Sequence, residues 1–291
     1  MGRVSIGYNE TSRGWVFSSS RRTAIVDFGP SAVRTASHAL FSLFFPDDCR
    51  ICTRPLPEVT RVPVCSRCLH EPKPLTAEFF CVSCRTPFVN AFPLDAEGRC
   101  ALCRAGLRGF DAAYCFGSYE GTLRELIHLY KYGRIETLWR PLAGFLASAL
   151  PLEERFDAVT PVPLHWRKKW QRGFNQAELL ARAIARRRGI PVLRALTRTR
   201  FTLTQAGLSN RQRRGNVAAA FRCRRSAGNL TGKHVLLIDD VMTTGATAAA
   251  CARVLKQAGA ARVVLATVAR VDRRFDGAGA EAAAGGGEDL S

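Results

Sequence analysis

A chain of 291 residues that is 47% hydrophobic is long enough for about two domains and can bury a full core. No stretch reaches the roughly 18–20 apolar residues that cross a bilayer. The apolar run from His38 to Phe45 is too short and too far from Met1 for a signal peptide, so the expectation is a soluble, cytoplasmic protein.

The net charge of +19 is uneven, because eighteen Lys and Arg face only Asp157 and Glu178 between Arg155 and Arg225. Such a block attracts polyanions, whether pyrophosphate, nucleotides or nucleic acid, or else forms a solvated basic face. Arg186–Arg188 fit the second reading, as cations at a helix end.

In chain order, residues 1–29 show no sustained periodicity and read as a loose extension. Pro30–Phe45 reads as an amphipathic helix leading into a cysteine-rich segment that ends near residue 108. Eight of the eleven cysteines in the chain stand there as four Cys-x-x-Cys pairs: Cys49/Cys52, Cys65/Cys68, Cys81/Cys84 and Cys100/Cys103. A two-residue spacer lets both thiolates of a pair meet one ion, and two pairs complete a tetrahedral site, so the segment predicts two zinc ions in a double ribbon. Eight of the fourteen prolines in the chain lie between Pro46 and Pro93, with few long apolar runs, and metal binding would supply most of the folding energy here. A disulfide framework would need an export signal and fits poorly with eleven cysteines. A redox pair would stand alone beside a βαβ unit. Neighbouring pairs sharing an ion is the simplest arrangement, and a crossed one stays open. Cys115, Cys223 and Cys251 read as packing residues.

From Phe110 strands and helices alternate. Strands are expected at Ala112–Tyr119, Ala158–Pro163, Val235–Ile238 and Arg262–Val268. Helices are expected at Thr122–Tyr130, Trp139–Leu150, Gln176–Arg188 and Ala248–Gln257. That order predicts an α/β domain over residues 109–271, a parallel sheet covered on both faces, with ligands at the carboxyl ends of its strands. Gly133 reads as a helix C-cap, with Lys131 neutralising the dipole. Residues 272–291, rich in Gly, Ala and Glu, read as a disordered tail.

Two strand-to-helix loops carry the chemistry. The loop after Pro161 contains Arg172 and Gly173, a charged fork beside an approachable backbone that suits a diphosphate, and Asn175, which caps the next helix or touches ligand. Trp166, Trp170 and Phe174 among its cations give weak support for stacking single strands. The second loop follows Val-Leu-Leu-Ile (Val235–Ile238): the carboxylates Asp239 and Asp240, then Thr243, Thr244, Gly245, Ala246 and Thr247 at the start of a helix. Unpaired first-turn N–H groups, threonine hydroxyls and a glycine make a phosphate cradle. The two acids can accept from ribose hydroxyls or hold magnesium. A Walker loop would need Lys where Ala246 stands, and a dinucleotide fingerprint would need three glycines. Residues 204–216 form a third polar, basic stretch able to close over an anion.

The Asp-Asp-Val-Met-Thr-Thr-Gly-Ala-Thr run resembles the phosphoribosyl-pyrophosphate loop of type I phosphoribosyltransferases. Together with Val162-Pro163-Leu164, Arg172–Gln176, Gln205–Leu208, Arg214, Asn216, Ala220-Phe221, Lys131-Tyr132 and the four cysteine pairs, it resembles the ComF family over roughly residues 35–270. The resemblance implies a type I phosphoribosyltransferase-like sheet with flanking helices behind a small four-cysteine-site zinc-ribbon module. It also implies a role in DNA uptake with single-stranded DNA and DNA-uptake or recombination proteins as partners. In that frame Asp239, Asp240 and Arg172 are the candidate catalytic residues. Thr243–Thr247, Gly173 and Lys131 would hold the 5′-phosphate and pyrophosphate of a magnesium-bound phosphoribosyl pyrophosphate. The alternatives are an active phosphoribosyltransferase of nucleotide metabolism with an unknown acceptor, and a non-catalytic zinc-ribbon adaptor.

Overall fold

The computed structural model describes residues 8–9, 14–15, 48–56, 61–88, 91, 94–106, 109–164, 170, 172–199, 220–225 and 228–271. The helix expected at Pro30–Phe45, the stretch 204–216 and the tail 272–291 lie outside these residues, as do Trp166 and its three cationic neighbours. The chain divides into two compact units, Met1–Pro46 with Pro57–Val59, and Asp47–Leu56 with Thr60–Ser291. Within the first, β1 (Tyr8–Asn9) pairs antiparallel with β2 (Gly14–Trp15).

The second unit begins with the cysteine segments. Here α1 (Ser66–His70) follows Cys65, and β3 (Phe79–Phe80) pairs antiparallel with β4 (Pro87–Phe88). A short turn of helix, α2 (Ala101–Arg104), spans the last knuckle. Then come β5 (Ala112–Ser118), α3 (Gly121–Lys131), a 3-10 turn at Glu136–Leu138, α4 (Trp139–Ser148), β6 (Ala158–Pro161) and α5 (Gln176–Arg188). A two-stranded antiparallel pair, β7 (Leu196–Arg198) with β8 (Phe221–Cys223), precedes β9 (His234–Met242), α6 (Ala246–Gln257) and β10 (Arg262–Arg270).

The main sheet has the order β5-β10-β9-β6, and all three pairings are parallel. Alternation along its central strands sorts the core into two layers. Leu236, Ile238, Val264 and Ala266 meet α3, α4 and α5 through Leu126, Ile127, Leu142, Leu146, Leu180 and Ile184. Val235, Leu237, Val263 and Leu265 on the opposite face meet Ala249, Ala252 and Leu255 of α6 with Leu196 and Phe221 of the β7–β8 pair. Each fully buried Leu or Ile contributes about 1.5–3 kcal/mol, so this sheet is a rigid support for what stands at its edge.

Helix α5 starts and stops as its sequence directs. The Asn175 side chain accepts from the Ala177 N–H at 3.2 Å, Glu178 sits in the first turn, and Gly189 takes φ 66° at the end. Arg187 and Arg188 in the last turn reach across to the carbonyls of Ala143 and of Leu150, Pro151 and Leu152. Part of the basic block therefore binds the Ala143 carbonyl within α4 and the turn that follows that helix. Two expectations are corrected. Strand β9 does not stop at Ile238 but runs through both acids to Met242, because β10 continues to Arg270 and offers a partner along the whole length. Helix α3 is capped by Tyr132 rather than Gly133, and it is Arg134 that takes the left-handed φ of 54°. Gly133 is needed for a different reason, since a Cβ there would lie 2.8 Å from the Leu129 carbonyl oxygen.

Candidate functional site

Parallel pairing places the carboxyl ends of β5, β10, β9 and β6 along one edge of the sheet. Asp239 and Asp240 come at this edge of β9, and pleating sends them to opposite faces. On the α3 face, Lys131 Nζ lies 2.7 Å from Asp240 Oδ1, with both side chains nearly enclosed. Burial works against the charge on Lys131, but the Asp240 carboxylate, then Asp239, hold its pKa above the usual lysine value. Asp239 has no ion pair of that kind among the described residues. Burial first and the charge of Asp240 second push its carboxyl up to about 7, although Lys131 and Arg172 act the other way. The Asp240 N–H donates to Asp239 Oδ1 at 2.9 Å, which orients that carboxylate. On the α6 side the charge of Asp239 also acts on Cys251 and on Arg198 of β7.

Past Met242 the chain turns into the threonine loop. Thr243 and Thr244 are exposed, Gly245 is buried at φ 75°, and α6 begins at Ala246, two residues before the expected Ala248. Gly245 occupies the N-cap position and so supplies no side-chain cap. The helix start is thus left to other partners, the Ala246 N–H approaching Thr244 Oγ1 at 3.4 Å. Neither acid caps this helix. A Cβ on Gly245 would lie 2.7 Å from Leu102 Cδ1, so a side chain there would force the end of Leu102 to shift.

The other loop comes to the same edge. Gly173 takes φ 82°, and Arg172 lies with its guanidinium 5.1 Å from the centre of the Tyr132 ring. Arg172 donates to Gln176 Oε1 at 3.3 Å and reaches the Tyr132 hydroxyl at 3.4 Å. Buried Tyr130 donates to the Gln176 carbonyl at 3.0 Å and packs its ring against Phe174 at 5.3 Å. Helix α3 thereby ties the acidic strand, through Lys131, to the Arg172 loop, through Tyr130 and Tyr132. Gln176 is 1% exposed, and its Nε2 has no hydrogen-bond partner among the described residues.

The structure thus gathers Asp239, Asp240, Lys131 and Arg172 into one electrostatic group beside Thr243–Thr247, and it gives Asn175 to the helix cap. Four neighbours were given no site role from sequence. Tyr132 and Gln176 were read only as parts of the Lys131-Tyr132 and Arg172–Gln176 runs. Arg198 and Leu102 carry no local signal, because only the tertiary fold brings them to the acids and to Gly245.

The eight paired cysteines form two clusters, Cys49, Cys52, Cys65 and Cys68, and Cys81, Cys84, Cys100 and Cys103, with the sulfurs of each within 4.8 Å of one another. Neighbouring pairs therefore share a site. The sulfurs of Cys52 and Cys65 are 3.6 Å apart, and those of Cys81 and Cys103, and of Cys84 and Cys100, are 3.7 Å apart. A disulfide would need about 2 Å, whereas four thiolates about 2.3 Å from a central zinc stand roughly 3.8 Å apart. Backbone N–H groups of Cys65 and Cys100 point at Cys49 and Cys81 sulfurs, each at 3.3 Å, as stabilised thiolates require. The residues fit a tetrahedral metal. Packed thiols compete for charge: the Cys84 contact holds Cys100 below the usual thiol value, while the same contact and burial drive Cys84 up. Only a cation lets all four ionise.

A parallel sheet ending in paired acids and a threonine loop, with two four-cysteine clusters packed onto it, defines a phosphoribosyltransferase-like α/β protein with a metal-binding module. Comparison with known proteins agrees. Residues 173–279 match the phosphoribosyl transferase domain family. The chain is 32% identical over 228 residues to the DNA utilization protein YhgH of Escherichia coli O157:H7, covering 76% of this chain and 96% of that one. It is 33% identical over 178 residues to competence protein F of Haemophilus influenzae, covering 59% and 78%. Among solved structures, the allosteric regulatory enzyme of purine biosynthesis is similar at a TM-score of 0.33 and 24% identity, over 46% of this chain and about a quarter, 26%, of that chain. The chain belongs to the ComF family. No helix among the described residues is long and apolar enough to cross a membrane.

Proposed function

We propose that this chain binds phosphoribosyl pyrophosphate, or a phosphate ligand related to it, at the carboxyl edge of the main sheet, in the manner of a type I phosphoribosyltransferase. The observation that carries the reading is the convergence of Asp239 and Asp240, the Thr243–Thr247 helix start, and the cations Lys131 and Arg172 at that one edge. The threonine hydroxyls and the first N–H groups of α6 would hold the 5′-phosphate. Asp239 and Asp240 would accept from the ribose hydroxyls. Arg172, beside Gly173, would face the diphosphate, and the buried Nε2 of Gln176, without a partner among the described residues, is a donor that a ligand oxygen would satisfy, worth about 1–3 kcal/mol. Magnesium bound with the diphosphate would neutralise its charge, and a zinc ion in each cysteine cluster would fix the module. The test is calorimetric titration of zinc-loaded protein with phosphoribosyl pyrophosphate and magnesium, beside an Asp239→Asn/Asp240→Asn variant. Binding in the wild type and not in the variant supports the reading; no binding in the wild type ends it.

The relatives are called competence and DNA utilization proteins, and we read this chain as acting in DNA uptake with single-stranded DNA as its macromolecular partner. The basic block supplies the charge that fits, and Trp170, 84% exposed, stands within it in sequence as a stacking group. Retention of single strands on filters should fall steeply between low and moderate salt. Weak, salt-independent retention would leave this part of the reading without support.

Phosphoribosyl transfer is the second reading, favoured by the intact acidic pair and by Lys131 and Arg172, which could stabilise departing pyrophosphate. Pyrophosphate release on adding candidate acceptors decides it. A wild type that binds neither phosphate ligand nor DNA would point to an adaptor.

A further inference from the structure

The second cysteine cluster touches the phosphate loop itself. Leu102 lies between the ligands Cys100 and Cys103, in a helix of only four residues that has no means of holding itself. Its Cδ1 fills the space where a Cβ of Gly245 would be, at 2.7 Å, with Met242 completing the contact at 3.6 Å. The same segment continues to Gly109, where a Cβ would lie 2.1 Å from the Ala249 carbonyl oxygen in the first turn of α6. The other half of the cluster is fastened at the sheet edge too. Arg270, at the end of β10, donates to the Pro87 carbonyl and stacks 4.1 Å from the Phe88 ring. The first cluster is placed otherwise, with Cys49 and Cys68 packed in the layer of α3, α4 and α5.

From this geometry we propose that Leu102 is a positioning residue for the phosphate loop, and that metal in the Cys81–Cys103 cluster and phosphate on Thr243–Thr247 therefore bind cooperatively. The inference rests on the phosphate-binding reading above and gives that site a metal-dependent regulation. Gly245, at φ 75°, has no side chain of its own to hold it, and Leu102, then Met242, stand nearest the face where one would be. With metal bound, the Cys100–Cys103 knuckle is fixed and Leu102 holds the loop in one conformation, its N–H groups presented together. Without metal the knuckle loses its frame and the loop loses that wall. Linkage makes the effect reciprocal, so a phosphate ligand must tighten metal in this cluster, while the Cys49–Cys68 cluster, packed in the other layer, is not expected to respond.

The experiment uses the full chain carrying two zinc equivalents, with Leu102→Ala and Leu102→Met variants whose zinc content is measured first. Chelator-driven alkylation of cysteines is followed by mass spectrometry with and without magnesium phosphoribosyl pyrophosphate. The ligand should slow modification of Cys81–Cys103 about tenfold in the wild type and in Leu102→Met, and not in Leu102→Ala. The Cys49–Cys68 set should not respond in any of them. Hydrogen exchange of the amides from Thr243 to Ala248 is read in the same samples without ligand, and should quicken about tenfold in Leu102→Ala alone. A wild type that binds the ligand by calorimetry but shows no difference between clusters overturns the proposal and spares the binding reading. A wild type that does not bind ends the binding reading. Unchanged loop exchange in Leu102→Ala then also removes Leu102 as a positioning residue, while faster exchange keeps it in that role.

Discussion

At Asp239 burial and the neighbouring Asp240 both favour the proton, and the carboxyl titrates near 7 instead of the ordinary 3.8. The folded chain then holds a proton that the unfolded chain has released between about pH 4 and pH 7, so stability contributed by this group is full below that window and declines as pH rises through it. Asp239→Asn removes the penalty. Without phosphate ligand, its melting temperature should exceed that of the wild type by several degrees at pH 8, and the two should coincide near pH 4. Melts that differ equally at both pH values would mean that Lys131, Arg172 and Arg198 already compensate the charge. Lys131 is the complementary case. Lys131→Met would leave Asp240 enclosed without its cation and should cost about 3 kcal/mol. Asp240→Asn in the same chain should restore most of this, a coupling that a double-mutant cycle in urea measures directly.

Among the elements, the strands and helices of the main sheet were legible, since their signals are local. Asn175, Glu178 and Gly189 delimit α5, and Val-Leu-Leu-Ile marks the buried start of β9. What the sequence could not show were features set by partners. The acids Asp239 and Asp240 disfavour a strand on their own and are carried in one because β10 pairs past them to Arg270. The β7–β8 pair escaped notice because each strand is three residues long and each is completed only by the other. The threonine loop was legible in composition, while its packing under Leu102 was not. The basic block was legible as charge but not as allocation. Arg188 accordingly belongs to the fold: its guanidinium binds the carbonyls of Leu150, Pro151 and Leu152. Arg188→Met should lower stability by about 1–3 kcal/mol through those lost bonds and leave the salt dependence of single-strand retention unchanged. A weaker salt slope in this variant would return Arg188 to the nucleic-acid surface.

In the second unit as a whole, the cysteine clusters are parts of its two core layers. Cys49 and Cys68 pack with Leu126 and Leu142 on one face of the sheet, and Cys81, Cys84 and Cys100 pack with Ala249 and Leu237 on the other. Sequence spacing gave the ligands but not this division, because neither segment carries an apolar pattern long enough to point to its partner. Metal removal should therefore not release two independent ribbons from an intact sheet. It should loosen both layers at once, since each loses a fixed wall of its core. Chelation under reducing conditions should lower the melting temperature of the full chain well beyond the few degrees of a single core substitution and broaden its transition. Cys49→Ser and Cys81→Ser, each breaking one cluster, should each give part of that loss. A sharp transition at an unchanged temperature after complete zinc removal would show that the sheet stands alone. The clusters would then be appended to the core without supporting it.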